Sequence, residues 1–214
     1  QVYSNKGERL FDNKYDSVYA LNENLWYLKR GNKSFFYNHP DDQVYVLADD
    51  IEAIGFMRED YISFKQDGQW GFLDKTGQLR ISNRYSKVRY FSEGLATVKL
   101  IGKWGAINTA EEIVVQPTYD SLGGFKNALA VVKSQEKYGL VDRTGRAILD
   151  LKYDLILRND KWIKLEIGGL FGISNTRGRI IKTPQYDQIT YTENGFFIVK
   201  KGNKYGVIDS KGKD

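Results

Sequence analysis

The 214-residue chain contains no cysteine, one histidine, one methionine and three prolines. Without cysteine there are no disulfides and no thiolate metal sites, although the compartment stays open. A single histidine excludes a multi-His metal centre, and a Ser-His-Asp triad would have to pass through His39 in "NHPDD". Histidine before proline in so polar a stretch reads as a loop residue. No apolar run approaches the roughly 20 residues of a membrane-spanning helix. The chain begins at Gln1; this is expected of a mature chain after signal cleavage or of a fragment, and an exported, extracytoplasmic protein is the preferred reading.

What is present points to β-structure. Aromatic residues make up 14%, with 15 Tyr, 11 Phe and 4 Trp, and there are 21 glycines. Aromatic and β-branched residues favour strands, and glycine supplies the positive φ of tight turns. The length suits one large domain or two small ones. The net charge is +5, and the excess lies in residues 151–214, with 12 basic groups against 7 acidic. An anionic partner would fit that excess, but a solvated lysine-rich surface is the preferred reading.

The chain repeats itself. Aromatic-glycine pairs occur at Trp70-Gly71, Trp104-Gly105, Tyr138-Gly139, Phe171-Gly172 and Tyr205-Gly206, with steps of 34, 34, 33 and 34 residues. Shortly after each glycine comes Asp74, Asn108, Asp142, Asn175 or Asp209. Three residues on comes Gly77, Gly145, Gly178 or Gly212, with Glu111 standing in once. Eight residues after that position sits Tyr85, Tyr119, Tyr153 or Tyr186, followed by Asp in three cases of the four. The N-terminal part is degenerate: "KGERLFDNKYDSV" (6–18) matches the second half of a unit, and Ile51-Glu52 stand where Tyr-Asp is due. About six units result, regular over 61–214 and degenerate over 1–60, in one repeat domain spanning 1–214.

Each unit reads as a three-stranded antiparallel meander. In one copy, 95–100 and 104–108 form a hairpin around "IGK", and 113–117 is a third strand that Pro117 ends, because proline cannot donate to a ladder. "TYDSLGGF" then crosses to the next unit. The Asx residues stand where side chains bond turn amides, and the glycine after each aromatic suits close approach of a neighbouring backbone or ring. So small a sheet must stack on its neighbours. An open twisted stack is expected, with a closed propeller-like ring as the alternative, since 34 residues is short for a four-stranded blade.

With "GQWGFLDKTGQLRISNRYSKVRYFSEGLATVK" (68–99) and "GKWGAINTAEEIVVQPTYDSLGGFKNALAVVK" (102–133) in view, the chain resembles the WG-repeat (KWG-type) family of bacterial β-repeat proteins. The resemblance implies a repeated β-sheet array, often in the cell envelope, that binds or scaffolds. It implies no catalytic residue, and no metal or cofactor is expected.

The residues themselves suggest little chemistry. Asp41-Asp42 and Asp49-Asp50 lack calcium-loop spacing and read as solvated loop acids. Lys200, Lys201, Lys204 and Lys211 form the densest basic cluster, but nucleic-acid binding is not expected, because the aromatics fall on the repeat grid and should be buried. The irregular segment 38–60 reads as decay or capping of a unit, with a functional departure as the alternative. A non-enzymatic module that binds another protein is the leading expectation, and glycan or peptidoglycan binding the second. Aromatics off the grid separate the two: Trp26, Tyr27, Tyr61, Trp162, Tyr191 and Phe196 lining one groove would favour sugar, and their burial while variable charged positions form the largest concave face would favour a protein partner.

Overall fold

The computed structural model describes residues 15–213; the matching segment at 6–14 lies outside them. All the regular structure described is β, in six antiparallel sheets whose strands follow chain order, and none closes into a barrel. The first sheet holds β1 (Ser17–Ala20), β2 (Leu25–Arg30), β3 (Lys33–Asn38) and β4 (Gln43–Val46). The second holds β5 (Ala53–Arg58), β6 (Tyr61–Gln66), β7 (Gln69–Leu73) and β8 (Leu79–Tyr85). The third is β9 (Lys87–Val88), β10 (Leu95–Leu100), β11 (Lys103–Asn108) and β12 (Ile113–Tyr119). The fourth is β13 (Ser121–Leu122), β14 (Leu129–Ser134), β15 (Lys137–Asp142) and β16 (Ala147–Tyr153). The fifth is β17 (Leu155–Arg158), β18 (Ile163–Ile167), β19 (Leu170–Ser174) and β20 (Ile180–Tyr186). The sixth has three strands, β21 (Gln188–Tyr191), β22 (Phe197–Lys201) and β23 (Lys204–Ile208).

Two expectations are corrected. Five of the sheets have four strands, not three. The extra strand is the start of the crossover: Ser121 and Leu122 pair with Lys133 and Val132 as the first strand of the next sheet. Two residues are too few to show periodicity, so the strand left no mark on the hydrophobic pattern. The strand expected to stop at Pro117 continues as β12 to Tyr119. That strand is an edge, and an edge position needs no N–H from proline.

The recurring residues have local jobs. Asp74 Oδ1 accepts from the amides of Thr76 and Gln78 at 2.8 and 3.1 Å, and Asp142, Asn175 and Asp209 repeat this with their own i+2 and i+4 amides. Asn108 does the same with Ala110 and Glu112. The fourth turn residue takes a left-handed conformation, hence Gly77 at φ 81°; Glu111 holds it at φ 64°. Its carboxylate reaches back to Arg84 Nε at 3.0 Å and to the Ser82 hydroxyl at 3.2 Å.

The acid of each Tyr-Asp pair caps the hairpin that follows. Asp154 Oδ2 accepts from the Gly168 amide at 2.6 Å, while its Oδ1 bonds Lys137 Nζ at 2.5 Å. Asp120 does both with Gln135 N and Lys103 Nζ. Glu52, in the degenerate unit, bonds Gly68 N at 2.7 Å, so the cap survives there with one more methylene, but its lysine partner at 2.7 Å is Lys65 of the neighbouring strand β6.

The chain divides into two compact units, residues 1–102 with 107–112, and residues 103–106 with 113–214. In the first, Leu21, Leu25, Tyr27, Phe36, Ile62 and Phe64 join the first two sheets in one core cluster, and Phe72, Ile81, Tyr85, Phe91 and Val98 form another. In the second, Leu140, Tyr153, Ile163 and Leu165 make one cluster, and Trp162, Ile173, Tyr186, Phe197 and Ile208 the next. Each cluster is shared by consecutive sheets, as expected where a lone small sheet is marginal.

Candidate functional site

The six off-grid aromatics do not converge. Trp162 is buried, stacked on Tyr191 at 6.2 Å and edge-on to Phe197 at 5.1 Å. Tyr61 stacks on buried Phe91 at 4.1 Å, and Tyr27 is buried with its hydroxyl 2.8 Å from Ser34 Oγ. Trp26 is half-buried beside Tyr37 and His39, and His39 lies exposed in a turn. Tyr191 is half-buried, so Phe196 alone of the six is exposed. Five of the six are packing residues that the repeat spacing did not reveal.

In the irregular segment the acids also have local partners. Asp42 Oδ1 accepts from the Tyr37 hydroxyl at 2.9 Å, and Asp41 from the Asn38 amide. Burial first, then this bond and the charge of Asp42, push the Tyr37 hydroxyl up to about 12.

The basic residues fall on the last hairpin. Lys201 Nζ donates to Gln185 Oε1 at 3.2 Å, and Lys200 lies over the Tyr205 ring at 5.8 Å. Lys201 and Lys204 line a recess of about 480 Å³ with Tyr186, Val199 and Tyr205–Ile208. Lys211 stands apart in the Asp209 turn.

A larger recess lies in the first unit. It is a half-open groove of about 680 Å³ between β1 and β5, each the edge strand of its sheet. Val18, Tyr19 and Phe56 line it, and Tyr19 is 59% and Phe56 73% exposed. Tyr19 lies against Tyr27 with ring centres 6.3 Å apart, so one face is covered from below. Phe56 is turned outward by a bulge: Ile54 pairs with Phe64 and Met57 with Ile62, leaving Gly55 and Phe56 opposite Ser63 alone. Ser17, Lys29 and Glu52 supply the polar rim. The Glu52 carboxyl is held below its ordinary value, first by Lys65 and then by the Gly68 amide. Tyr19 and Phe56 are not marked in the sequence, because neither belongs to a repeated motif and the bulge has no signature.

The comparisons decide the family. The profile of the WG containing repeat matches residues 70–104, 104–138, 138–161 and 171–205, together more than half of the chain. The chain belongs to the WG-containing repeat family. No curated protein matches it. Among solved structures, this WG-repeat chain is similar to Kluyveromyces lactis Hsv2, at 11% identity and TM-score 0.42 over 88% of this chain and 72% of that one. It is also similar to PorZ, a bacterial surface component of the type-IX secretion system of Porphyromonas gingivalis, at 8% identity and TM-score 0.41, over 94% of this chain and 32% of that one. A third is the extracellular domain of the putative one-component system BT4673 from B. thetaiotaomicron, at 11% identity and TM-score 0.39, over 98% and 36%. Likenesses at this level carry no argument about function. The WG repeat explains the frame, and the groove lies in the part of the chain that the family profile leaves unmatched.

Proposed function

We propose that this chain is a non-enzymatic binding module and that the β1–β5 groove is where it takes another protein. The carrying observation is the pair of large exposed rings, Tyr19 and Phe56, in one half-open recess. Exposed aromatic anchors with a thin polar rim fit the apolar side chains of a partner. Sugar recognition needs rings too, but it also needs hydrogen-bonding groups for hydroxyls, and Glu52 is already engaged by Lys65 and Gly68. The dispersal of Trp26, Tyr61, Trp162 and Tyr191 into packing also weighs against a sugar groove built from them. The non-enzymatic reading is supported by the recurring acids, which are taken up by turns and hairpins. A setting in the cell envelope is suggested by the family resemblance alone, and fractionation of native cells tests it. Among the described residues no helix is long and apolar enough to cross a membrane.

The test sets affinity capture from the native host beside sedimentation with purified peptidoglycan, using the wild-type chain and a Tyr19→Ser, Phe56→Ser double variant. Capture of one defined protein that the double variant loses supports the proposal. Sedimentation with peptidoglycan that the double variant loses replaces it with the glycan reading.

A further inference from the structure

The Asx turns of the last three sheets carry more than their caps. Each presents two cations around its left-handed glycine: Arg143 and Arg146 about Gly145, Arg177 and Arg179 about Gly178, Lys211 and Lys213 about Gly212. All six side chains are exposed. The turn at Asn108 holds Glu111 and Glu112 instead and belongs to the first compact unit, so this run of cations is confined to the second. In the last two turns the amides of Arg177, Arg179, Lys211 and Lys213 make the turn's bonds to Asn175 and Asp209, so the turns do not depend on these side chains.

The turns follow one another along one side of this unit. A Cβ on Gly178 would press on Ile148 Cγ2, and one on Gly212 would lie 2.9 Å from Ile181 Cγ2. Ile148 stands two residues beyond Arg146 and Ile181 two beyond Arg179, so each turn sits on the root of the fourth strand that leaves the turn before it. The cation pairs therefore recur once per sheet, at about the 10 Å that separates packed sheets. Two carboxylates belong to the same turns: Asp142, on Arg146 Nε at 3.0 Å, and Asp209, taken up by its turn amides. The middle turn has neutral Asn175 in their place, and among the described residues neither Arg177 nor Arg179 makes an ion pair.

We propose that this stripe binds a linear acidic polysaccharide carrying one carboxylate per disaccharide. A disaccharide in an extended chain is about as long as the step from sheet to sheet, so successive carboxylates meet successive pairs of cations. Denser polyanions match the step poorly: an extended acidic peptide presents a residue every ~3.3 Å, and duplex DNA a charge every ~1.7 Å. None of the three turns carries an aromatic ring on which a base could stack. Guanidinium and ammonium groups donate to carboxylates and to sugar hydroxyls alike. The stripe lies on the second unit and the β1–β5 groove on the first, so the two proposals stand or fall separately.

The experiment measures binding of fluorescent hyaluronan, in which a uronate alternates with a neutral sugar, to the full chain at low salt by anisotropy. Binding that weakens as salt rises is expected. Arg177→Gln with Arg179→Gln should weaken it at least about tenfold at an unchanged melting temperature. Lys211→Gln with Lys213→Gln, on the next turn, should weaken it as well. Lys200→Gln with Lys201→Gln removes the same charge from the last hairpin and should stay within about twofold of wild type, as should Tyr19→Ser with Phe56→Ser. No binding at low salt overturns the proposal, and so does binding that both stripe variants leave unchanged. An equal loss in the Lys200 and Lys201 variant would reduce the effect to net charge, and a loss in the groove variant would move the sugar to the groove; either overturns it. Tighter binding of polyglutamate or duplex DNA at equal charge concentration overturns it in favour of another class of partner.

Discussion

Gly139 faces the carbonyl oxygen of Leu149 so closely that a methyl group on it would sit 2.7 Å away. The two belong to adjacent strands whose register shifts beside this glycine, between the Tyr138–Tyr153 pair and the Leu140–Leu149 pair. The glycine of the repeat is therefore what lets the fourth strand bulge inward against the third. The tyrosine at the end of that strand then lands in the core, where Tyr153 is 1% exposed.

Gly139→Ala should therefore destabilise the chain by about 2 kcal/mol, because backbone and not a mobile side chain must move. Gly206→Ala should stay within about 0.5 kcal/mol of wild type, since among the described residues no strand lies over it. Thermal unfolding followed by circular dichroism measures both. Equal losses would show that the glycine serves backbone conformation and not close approach.

The acids of the repeated Tyr-Asp device set the acid limit of the fold. Asp154 is held below the ordinary carboxylate range by Lys137 first and by the Gly168 amide second, and Asp120 by Lys103 and then Gln135. A carboxyl with a depressed folded value contributes stability above its unfolded pKa and loses it as pH falls through the folded one. The melting temperature should accordingly hold above pH about 5 and fall steadily below pH about 4. Asp154→Asn should be less stable than wild type at neutral pH and should lose less on acidification. Parallel curves for the two would contradict this role.

Ile101 occupies the first position of the hairpin turn between β10 and β11 at φ 49°, followed by Gly102 at φ 79°, and it is 93% exposed. A β-branched residue is poorly suited to that conformation, and Asn-Gly is the favoured pair for such a turn. Ile101→Asn should raise stability by about 1 kcal/mol. An unchanged or lower melting temperature would point to a packing role for Ile101 that its exposure does not suggest.

Thr97 in β10 is 1% exposed, and its hydroxyl has no hydrogen-bond partner among the described residues. Thr97→Val keeps the shape and removes the unpaired group, so it should be neutral or stabilising by about 1 kcal/mol. A clear loss in the melting curve would show that the hydroxyl is satisfied in solution.

Much of the frame was legible because it is periodic. The step from Trp70 to Tyr205 locates the hairpins, and the Asx residues are legible as turn residues from their place in the repeat. The first strands of the third and fourth sheets were not legible: Lys87–Val88 and Ser121–Leu122 are held by their partners across the ladder and are too short for a pattern of their own. The same limit hid the groove. Phe56 is exposed by a bulge opposite Ser63, and Tyr19 lies on an edge strand, both set by pairing and not by local sequence. Trp162 and Tyr61 look in sequence like free aromatics, and only the neighbouring sheet shows what buries them.

The most direct test of the groove as a protein-binding surface is site-specific photo-crosslinking in native cells, with a photoreactive phenylalanine analogue in place of Phe56. The proposal predicts one discrete, protease-sensitive adduct larger than the chain by the mass of a protein, lost when Tyr19→Ser is added. An adduct that resists protease but is released by peptidoglycan hydrolase, or no adduct at position 56, would contradict it.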